Sequence, residues 1–370
     1  MNKKILLCNT SFYPQVGGVE NSLRSLSEEF CKQGNDVTII ASDEKKLPKY
    51  EKLFNAEIYR YKCLPFFGYI ISIAVLLIKL KPSSFDIIVS RHFITTFVLL
   101  LLGAQNVKYI VPGVYKYQNA GVNGSFFGKV KYFINSKIEA FVLNNAEDVY
   151  VFSDTMEAQV KELRNKDITR LYPGVSSDRF FPVAKNEKEK LKVERGIPLN
   201  KKIVFSIGRF VDVKNFRLAI ESLKELDENY ILVLVGDGPL NNELKMQADS
   251  LGIQNRVFFQ GITNTPEIFF KLADVFLLTS TYEPFGQVLL EATASKLPVV
   301  AIDSDIKGIK TATKEIYKTF NNLVCLSVSA KAIDYADAIR RASDLNINEN
   351  QFESFLAQYS WSKMALYIVE

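Results

Sequence analysis

The segment Thr281–Val300, TYEPFGQVLLEATASKLPVV, sets two carboxylates, Glu283 and Glu291, eight residues apart around a Phe-Gly turn. Leu277 and Leu278 end an apolar run before it, and Val299 and Val300 begin another after it. The pattern reads as strand, turn with Gly286, then helix. Backbone N–H groups at such a helix start can hold an anion, because they lack partners within the helix and sit at its positive end. A carboxylate on either side of that anion suits a polyhydroxylated, phosphorylated ligand.

Two further segments add to this chemistry. In SIGRFVDVKN (Ser206–Asn215) a predicted strand ends at Ile207, Gly208 and Arg209 follow, and Lys214 stands at the start of a helical pattern. Cations fixed at the C-terminal edge of a parallel sheet neutralise a diphosphate, each charge-assisted hydrogen bond contributing about 1.5–3 kcal/mol. Either residue alone is equally compatible with surface charge; beside Glu283 and Glu291 they read as a site. In FYPQVGGVEN (Phe12–Asn21), Gly17 and Gly18 follow the first predicted strand and allow a ligand close to the backbone, although a diglycine is often only a turn. Neither G-x-G-x-x-G nor a G-K-[ST] phosphate loop occurs. Gly236 and Gly238 in VLVGDGPL read as turn residues entering the next helix, with a place in the ligand site as the alternative.

These segments need a scaffold that collects strand ends. Apolar runs at Lys4–Cys8, Asp36–Ile40, Ile87–Val89, Lys108–Val111 and Val149–Phe152 form one series of predicted strands. Ile203–Ile207, Tyr230–Val235, Val257–Gln260, Val275–Leu278 and Pro298–Ile302 form a second. Helical patterns such as Val19–Gln33, Asn215–Leu226 and Asn242–Ser250 lie between them. Alternation of this kind predicts an α/β chain with two doubly wound parallel sheets. The seam is expected near Ser176–Lys201, where Pro182 and Pro198 flank the charged stretch KNEKEKLKVERG; a solvated helix within one domain is the alternative.

The 370 residues exceed one ordinary core, and 48% hydrophobic with 24% charged residues fits globular domains. A net charge of +5 does not by itself imply nucleic acid, but is compatible with phosphate-rich substrates or an anionic membrane surface. Cys8, Cys31, Cys63 and Cys325 lack C-x-x-C spacing, so a disulfide framework or zinc site is not expected and a reducing cytoplasm is. The apolar run Ile5–Cys8 is too short for a signal-peptide core. Leu64–Ile78 and Phe93–Val107 fall short of the roughly 20 residues that span a bilayer.

Read together, the GGVE loop, LYPGVSSDRFFP (Leu171–Pro182), SIGRFVDVKN, VGDGPL, VFFQGIT (Val257–Thr263) and TYEPFGQVLLEA resemble glycosyltransferase family 4, the retaining group 1 transferases of the GT-B fold. The resemblance runs from about Leu171 to Ile302 and through the first thirty residues, and is thin between about Lys45 and Ala140. It implies two Rossmann-like domains with an interdomain cleft. Residues 1–180 would form the acceptor-binding domain, joined by a C-terminal helix at about 355–370 in which Trp361 packs at the crossing. Residues 181–354 would form the domain binding a nucleotide diphosphate sugar. It further implies that Arg209 and Lys214 grip the diphosphate, that Glu283 orients the donor sugar, and that Glu291 accepts from the ribose hydroxyls. Gly286 and Gln287 would hold sugar or phosphate through backbone N–H groups, with Ile262, Phe285 and Val288 completing the donor site and Gly17 and Gly18 approaching from the other domain. In this role Glu283, Arg209 and Lys214 are catalytic by positioning and electrostatics. No cofactor and no metal is implied, since the Arg–Lys pair and a helix N-terminus replace a divalent cation. Asp303-Ser304-Asp305 spells D-x-D but reads as a turn.

The chain departs from the family in three places. Pro112 and Gly113 stand where many relatives carry a histidine, and the sole histidine, His92, is a possible substrate contact. Ala294–Val299 reads A-S-K-L-P-V where A-C-G-x-P-V is common, and IDSDIKGIKTATKEI replaces a glycine-rich loop. The expected acceptor is a glycan or a lipid-linked sugar, with no nucleic-acid partner. Apolar Leu64–Ile78, and a basic helix at Ser125–Leu143 with Phe127, Val130, Ile134, Ile138 and Phe141 on one face, fit peripheral contact with an anionic membrane from the cytoplasm. Core-facing packing explains each stretch equally well. The rival reading is a catalytically silent sugar-nucleotide-binding partner of a membrane complex.

Overall fold

The computed structural model describes residues 2–14, 17–43, 47–64, 68–118, 126–303, 305–345 and 347–370, the side chain of Phe127 excepted. The chain divides into two compact units, Met1–Gly174 with Trp361–Glu370, and Val175–Ser360.

In the first unit the strands are β1 (Lys4–Cys8), β2 (Asp36–Ser42), β3 (Tyr50–Leu53), β4 (Ala56–Tyr61), β5 (Ile87–Ser90), β6 (Val107–Ile110), β7 (Asp148–Val151) and β8 (Thr169–Arg170). They form one sheet in the order β3-β4-β2-β1-β5-β6-β7-β8. Every pairing is parallel except β3 with β4. Burial of β1 and β5 accounts for their unbroken apolar runs, since sheets covered on both faces leave no room for polar alternation. The β3–β4 hairpin turns on Phe54 and Asn55, both at positive φ (53° and 62°). That is the geometry of a tight hairpin turn, built without the glycine that usually signals one.

The second unit contains β9 (Lys202–Ile207), β10 (Tyr230–Val235), β11 (Val257–Phe259), β12 (Val275–Leu277), β13 (Tyr282–Glu283), β14 (Val299–Ile302), β15 (Lys310–Thr311) and β16 (Val324–Ser327). Six make a parallel sheet in the order β11-β10-β9-β12-β14-β16, while β13 and β15 pair separately. Register sets Val204 against Leu232 on one side and Val275 on the other. Helices Phe216–Lys224 and Ala332–Ser343 pack on this sheet, burying Leu218, Ile220, Leu223, Tyr335 and Ile339 in one core.

In each sheet the strand order reverses once near the middle, between β1 and β5 and between β9 and β12. Loops leave such a switch point in opposite directions and open a crevice at the carboxyl ends of the strands, where doubly wound sheets bind ligands.

Two segments lie near the unit boundaries. The charged stretch takes the alternative reading, a helix (Lys185–Glu194) inside the second unit, where Lys188 Nζ pairs with Asp274 at 2.6 Å and Lys192 Nζ bonds Lys201 O at 3.1 Å. The C-terminal segment is divided. Helix Glu349–Leu356 belongs to the second unit, and Trp361–Val369 packs on helix Gly18–Lys32 of the first. Trp361 lies against Gly174, where a Cβ would come within 2.4 Å of its ring.

The basic helix spans Phe126–Asn145. It buries Asn135, Glu139, Val142 and Leu143, while Val130 and Phe141 are exposed and Ile134 and Ile138 only half-buried; Phe127 lies outside the described side chains. The reason is polar. Glu139 accepts from the backbone N–H of Tyr115 at 2.9 and 3.0 Å, and Asn135 Nδ2 donates to Tyr115 Oη at 3.0 Å. These bonds pin the turn after β6 that carries Pro112 and Gly113. Burial pushes the Glu139 carboxyl up from 4.5 to about 7, with the backbone N–H groups of Tyr115 and Lys116 pulling the other way.

Candidate donor site of the second unit

The loops that leave β9, β10 and β11 are stitched together by their backbones. Gly208 N donates to Val235 O (3.0 Å), Phe210 N to Asp237 O (2.9 Å), and Gly236 N to Gly261 O (2.8 Å). Gly236 has φ +131°, and a Cβ there would lie 2.0 Å from Gly208 O; one at Gly238 would lie 2.5 Å from Phe210 O. The glycines of VGDGPL therefore permit backbone-on-backbone contact that fixes the neighbouring Gly208-Arg209-Phe210 turn. Arg209 projects from that turn, exposed and without an ion-pair partner among the described residues. Ile262, after β11, is 72% exposed.

Lys214 closes the 3₁₀ turn Asp212–Lys214. This turn is tied to the loop after β12: Thr281 N donates to Val213 O (2.9 Å) and Thr279 Oγ1 to Lys214 O (2.9 Å). The ties carry Lys214 to Glu283, and its Nζ donates to Glu283 Oε2. Ser280 Oγ donates to the same oxygen at 3.4 Å. A third strand of support comes from the loop after β14, which is the segment that departs from the family. Lys310 N bonds Thr281 O (2.8 Å) and Ala312 N bonds Glu283 O (3.1 Å), making the β13–β15 pair.

Gly286 caps the helix Gln287–Ala294 at φ +84°, a left-handed conformation that favours glycine. A Cβ there would stand 3.1 Å from Glu283 Cγ and 3.0 Å from Leu289 Cδ1. Phe285 is buried, while Gln287 and Val288 are half-buried on the first turn. Glu291 lies one turn further and is 6% exposed. Burial raises its carboxyl from 4.5 to about 8, Arg179 opposing and Glu267 adding to the rise. Arg179 Nη2 is held by Glu267 Oε2 at 2.9 Å. A buried carboxylate with so perturbed an affinity for protons is typical of functional sites.

Thus Lys214, Glu283 and Gly286 converge directly, Arg209 stands on a turn fixed against the same strand ends, and Glu291 shares a helix with Gly286. Ser280, Arg179 and Glu267 belong to this arrangement but carry no motif spacing that singles them out. Arg179 sits in LYPGVSSDRFFP, which is legible as a family segment without a role for that side chain.

The remaining candidates lie in the first unit. Gly17 and Gly18 stand at the start of helix Gly18–Lys32, after β1; a Cβ on Gly17 would meet Glu20 Oε2 at 2.5 Å, and one on Gly18 would meet nothing within 4 Å. His92 follows β5 and caps helix Phe93–Leu101, its Nδ1 lying 3.1 Å from Thr95 Oγ1 and accepting from Thr95 N at 3.4 Å. Burial pulls its pKa down to about 4, so the ring is neutral at physiological pH. Of the D-x-D spelling, Ser304 lies outside the described residues; Asp305 N donates to Asp303 Oδ1 (3.0 Å), and both carboxylates pair with Lys314.

Comparison with known proteins agrees with this architecture. The family model described as "Glycosyl transferases group 1" matches residues 187–354, and that described as "Glycosyltransferase Family 4" matches residues 16–179. The alpha-monoglucosyldiacylglycerol synthase of Streptococcus pneumoniae is 32% identical over 323 residues, covering 80% of this chain and 70% of that protein. An uncharacterized glycosyltransferase of Methanocaldococcus jannaschii is 26% identical over 331 residues, covering 84% and 83%. Among solved structures, sucrose-phosphate synthase from Thermosynechococcus elongatus superposes with a TM-score of 0.80 at 21% identity, covering 100% of this chain and 98% of that one. Anabaena HepE in complex with UDP and glucose gives 0.79 at 17%, with the same coverage. The chain belongs to the group 1 glycosyltransferases, glycosyltransferase family 4. It is a glycosyltransferase of the GT-B fold, built from two parallel-sheet α/β units.

Proposed function

We propose that this enzyme moves a sugar, with retention of configuration, from a nucleoside diphosphate sugar to a hydroxyl of a glycan or lipid-linked acceptor. The observation that carries the reading is the meeting of Lys214 with Glu283 beside Gly286, at the switch point of a sheet whose β9 loop presents both Arg209 and Lys214. Breaking the anomeric C–O bond builds positive charge on the sugar and negative charge on the departing diphosphate. Arg209 and Lys214 stabilise that negative charge without reorganising. Glu283 accepts from sugar hydroxyls and Glu291 from the ribose. The acceptor oxygen bonds to the anomeric carbon on the face the phosphate leaves, and its proton passes to the leaving phosphate. Neither glutamate is a nucleophile on this account, and no metal or cofactor takes part, so a chelator leaves the rate unchanged.

A lipid acceptor is favoured by the surface of the first unit and by a relative named for a glucosylated diacylglycerol. Helix Gly68–Leu80 presents Ile71 (64% exposed), Val75 (61%) and Ile78 (59%) on one face. It packs on helix Phe93–Leu101, which packs on Phe126–Asn145 with Phe126, Val130 and Phe133 exposed. Lys79, Lys81, Lys129, Lys131 and Lys137 are exposed on the outer two of these helices and at their ends. Apolar side chains and lysines together suit the boundary of an anionic bilayer, each basic residue adding about 1 kcal/mol. No helix among the described residues is long and apolar enough to cross a membrane. We therefore place the enzyme on the cytoplasmic face of a membrane, held peripherally.

The test is transfer of labelled sugar from UDP-, GDP- and ADP-sugars to vesicles carrying diacylglycerol or glycolipid. Label entering the organic phase with one donor, and lost in Lys214→Ala, supports the reading. Label remaining aqueous with every donor and acceptor, while the protein is folded, contradicts the lipid-acceptor assignment.

A further inference from the structure

The cation and the carboxylate assigned to the donor neutralise each other. Lys214 Nζ and Glu283 Oε2 are hydrogen-bonded, with side chains 25% and 13% exposed. Folding does not depend on this pair to join the two segments, which are 69 residues apart in sequence. Backbone and Thr279 bonds join them already, as Thr281 N to Val213 O and Thr279 Oγ1 to Lys214 O (each 2.9 Å). The pair is therefore free to exchange partners while its supports stay in place.

Exchange has different consequences for the two nucleotides the enzyme must handle. A diphosphate that bonds Lys214 competes with Glu283 for the ammonium group. The released carboxylate keeps only the long contact from Ser280 Oγ (3.4 Å) among its side-chain partners above, in a partly desolvated position next to phosphate charge. A donor sugar repairs this loss, because its hydroxyls donate to the freed carboxylate. A nucleoside diphosphate without a sugar leaves Glu283 unpaired and repelled. We propose that the Lys214–Glu283 ion pair is a selectivity element, which favours nucleotide sugar over nucleoside diphosphate and expels the spent nucleotide by re-forming. The proposal rests on the donor-site reading above, in which Lys214 meets phosphate and Glu283 meets sugar.

The test is equilibrium binding of UDP, inorganic pyrophosphate and UDP-glucose to wild type, Glu283→Gln, Glu283→Ala and Lys214→Ala, with melting curves recorded for each protein. Removing the charge at position 283 should tighten UDP and pyrophosphate about tenfold while weakening UDP-glucose, so that the preference for the sugar-bearing nucleotide collapses. Both Glu283 variants should agree on the direction for UDP. If UDP and pyrophosphate bind no tighter to either folded variant than to wild type, the selectivity role is overturned, and the donor site stands provided Lys214→Ala weakens UDP. If Lys214→Ala leaves every ligand unaffected, or wild type binds neither these ligands nor their GDP and ADP counterparts, the donor-site reading itself fails and the proposal with it.

Discussion

Glu291 makes a prediction whose size follows from its surroundings. The carboxyl is buried on a helix whose residues from Leu289 to Ala294 are all buried, and the cation that opposes its rise, Arg179, is already engaged by Glu267. Burial raises its pKa from 4.5 to about 8. Between these values the unfolded chain is ionised while the folded protein holds a proton, so the unfolded state binds fewer protons and stability falls as pH rises. The contribution is fully present below pH 4.5 and lost as pH passes through about 8; the whole displacement corresponds to a ceiling of about 5 kcal/mol. Glu291→Gln keeps the shape and removes the titration. The variant should match wild type near pH 5 and exceed it by several kcal/mol above pH 8. Urea unfolding followed by circular dichroism, with the two proteins compared at each pH, cancels other titrating groups such as Glu139. Parallel stability curves from pH 5 to 9 would refute the reasoning, because they would mean that the folded carboxyl ionises as freely as in water. The same variant should bind the donor more weakly than wild type, since a stable protein gains nothing from burying this carboxylate unless a ligand uses it.

Three further outcomes follow from single positions or faces. Gly286→Ala places a methyl against Glu283 and Leu289 at a left-handed φ of +84°, and should cost about 1–2 kcal/mol in stability, read as a lower melting temperature, together with a larger loss of turnover as Glu283 shifts. Gly236→Ala drives a Cβ to 2.0 Å from Gly208 O and should displace the Arg209 turn; donor affinity should fall even though the residue touches no ligand in this account, and unchanged affinity would disprove the backbone-contact argument. Replacing Ile71, Val75 and Ile78 together by Ser should abolish flotation with vesicles rich in phosphatidylglycerol while leaving hydrolysis of donor in solution intact; flotation equal to wild type would remove the membrane-facing role from this helix.

The parallel strands and the site loops are legible in the sequence for one physical reason. Strands covered on both faces, such as Tyr230–Val235, read as near-continuous apolar runs, and glycines follow them at Gly208 after β9 and Gly236 after β10. Lys214 and Glu283 are readable as candidates by type and by their place after strands. Their pairing is not, because it is set by Thr279 and Thr281 bonding to backbone oxygens across 65 to 68 residues. The β3–β4 hairpin escaped notice because Phe54 and Asn55 make a turn usually written with glycine. The orientation of helix Phe126–Asn145 is not legible in its apolar periodicity, because the partner that decides it is the turn at Tyr115, which offers its N–H to Glu139. Gly236 and Gly238 read as turn residues because close backbone approach leaves no trace in the sequence beyond the glycine itself.

The most direct test of the central claim is the crystal structure of this protein with its nucleoside diphosphate sugar, the UDP-, GDP- or ADP-sugar it binds. The diphosphate is expected within hydrogen-bonding reach of Lys214 Nζ and the Arg209 guanidinium, with Glu283 turned from Lys214 to the sugar hydroxyls. A nucleotide seated away from both cations, with Lys214 and Glu283 still joined, would contradict the claim.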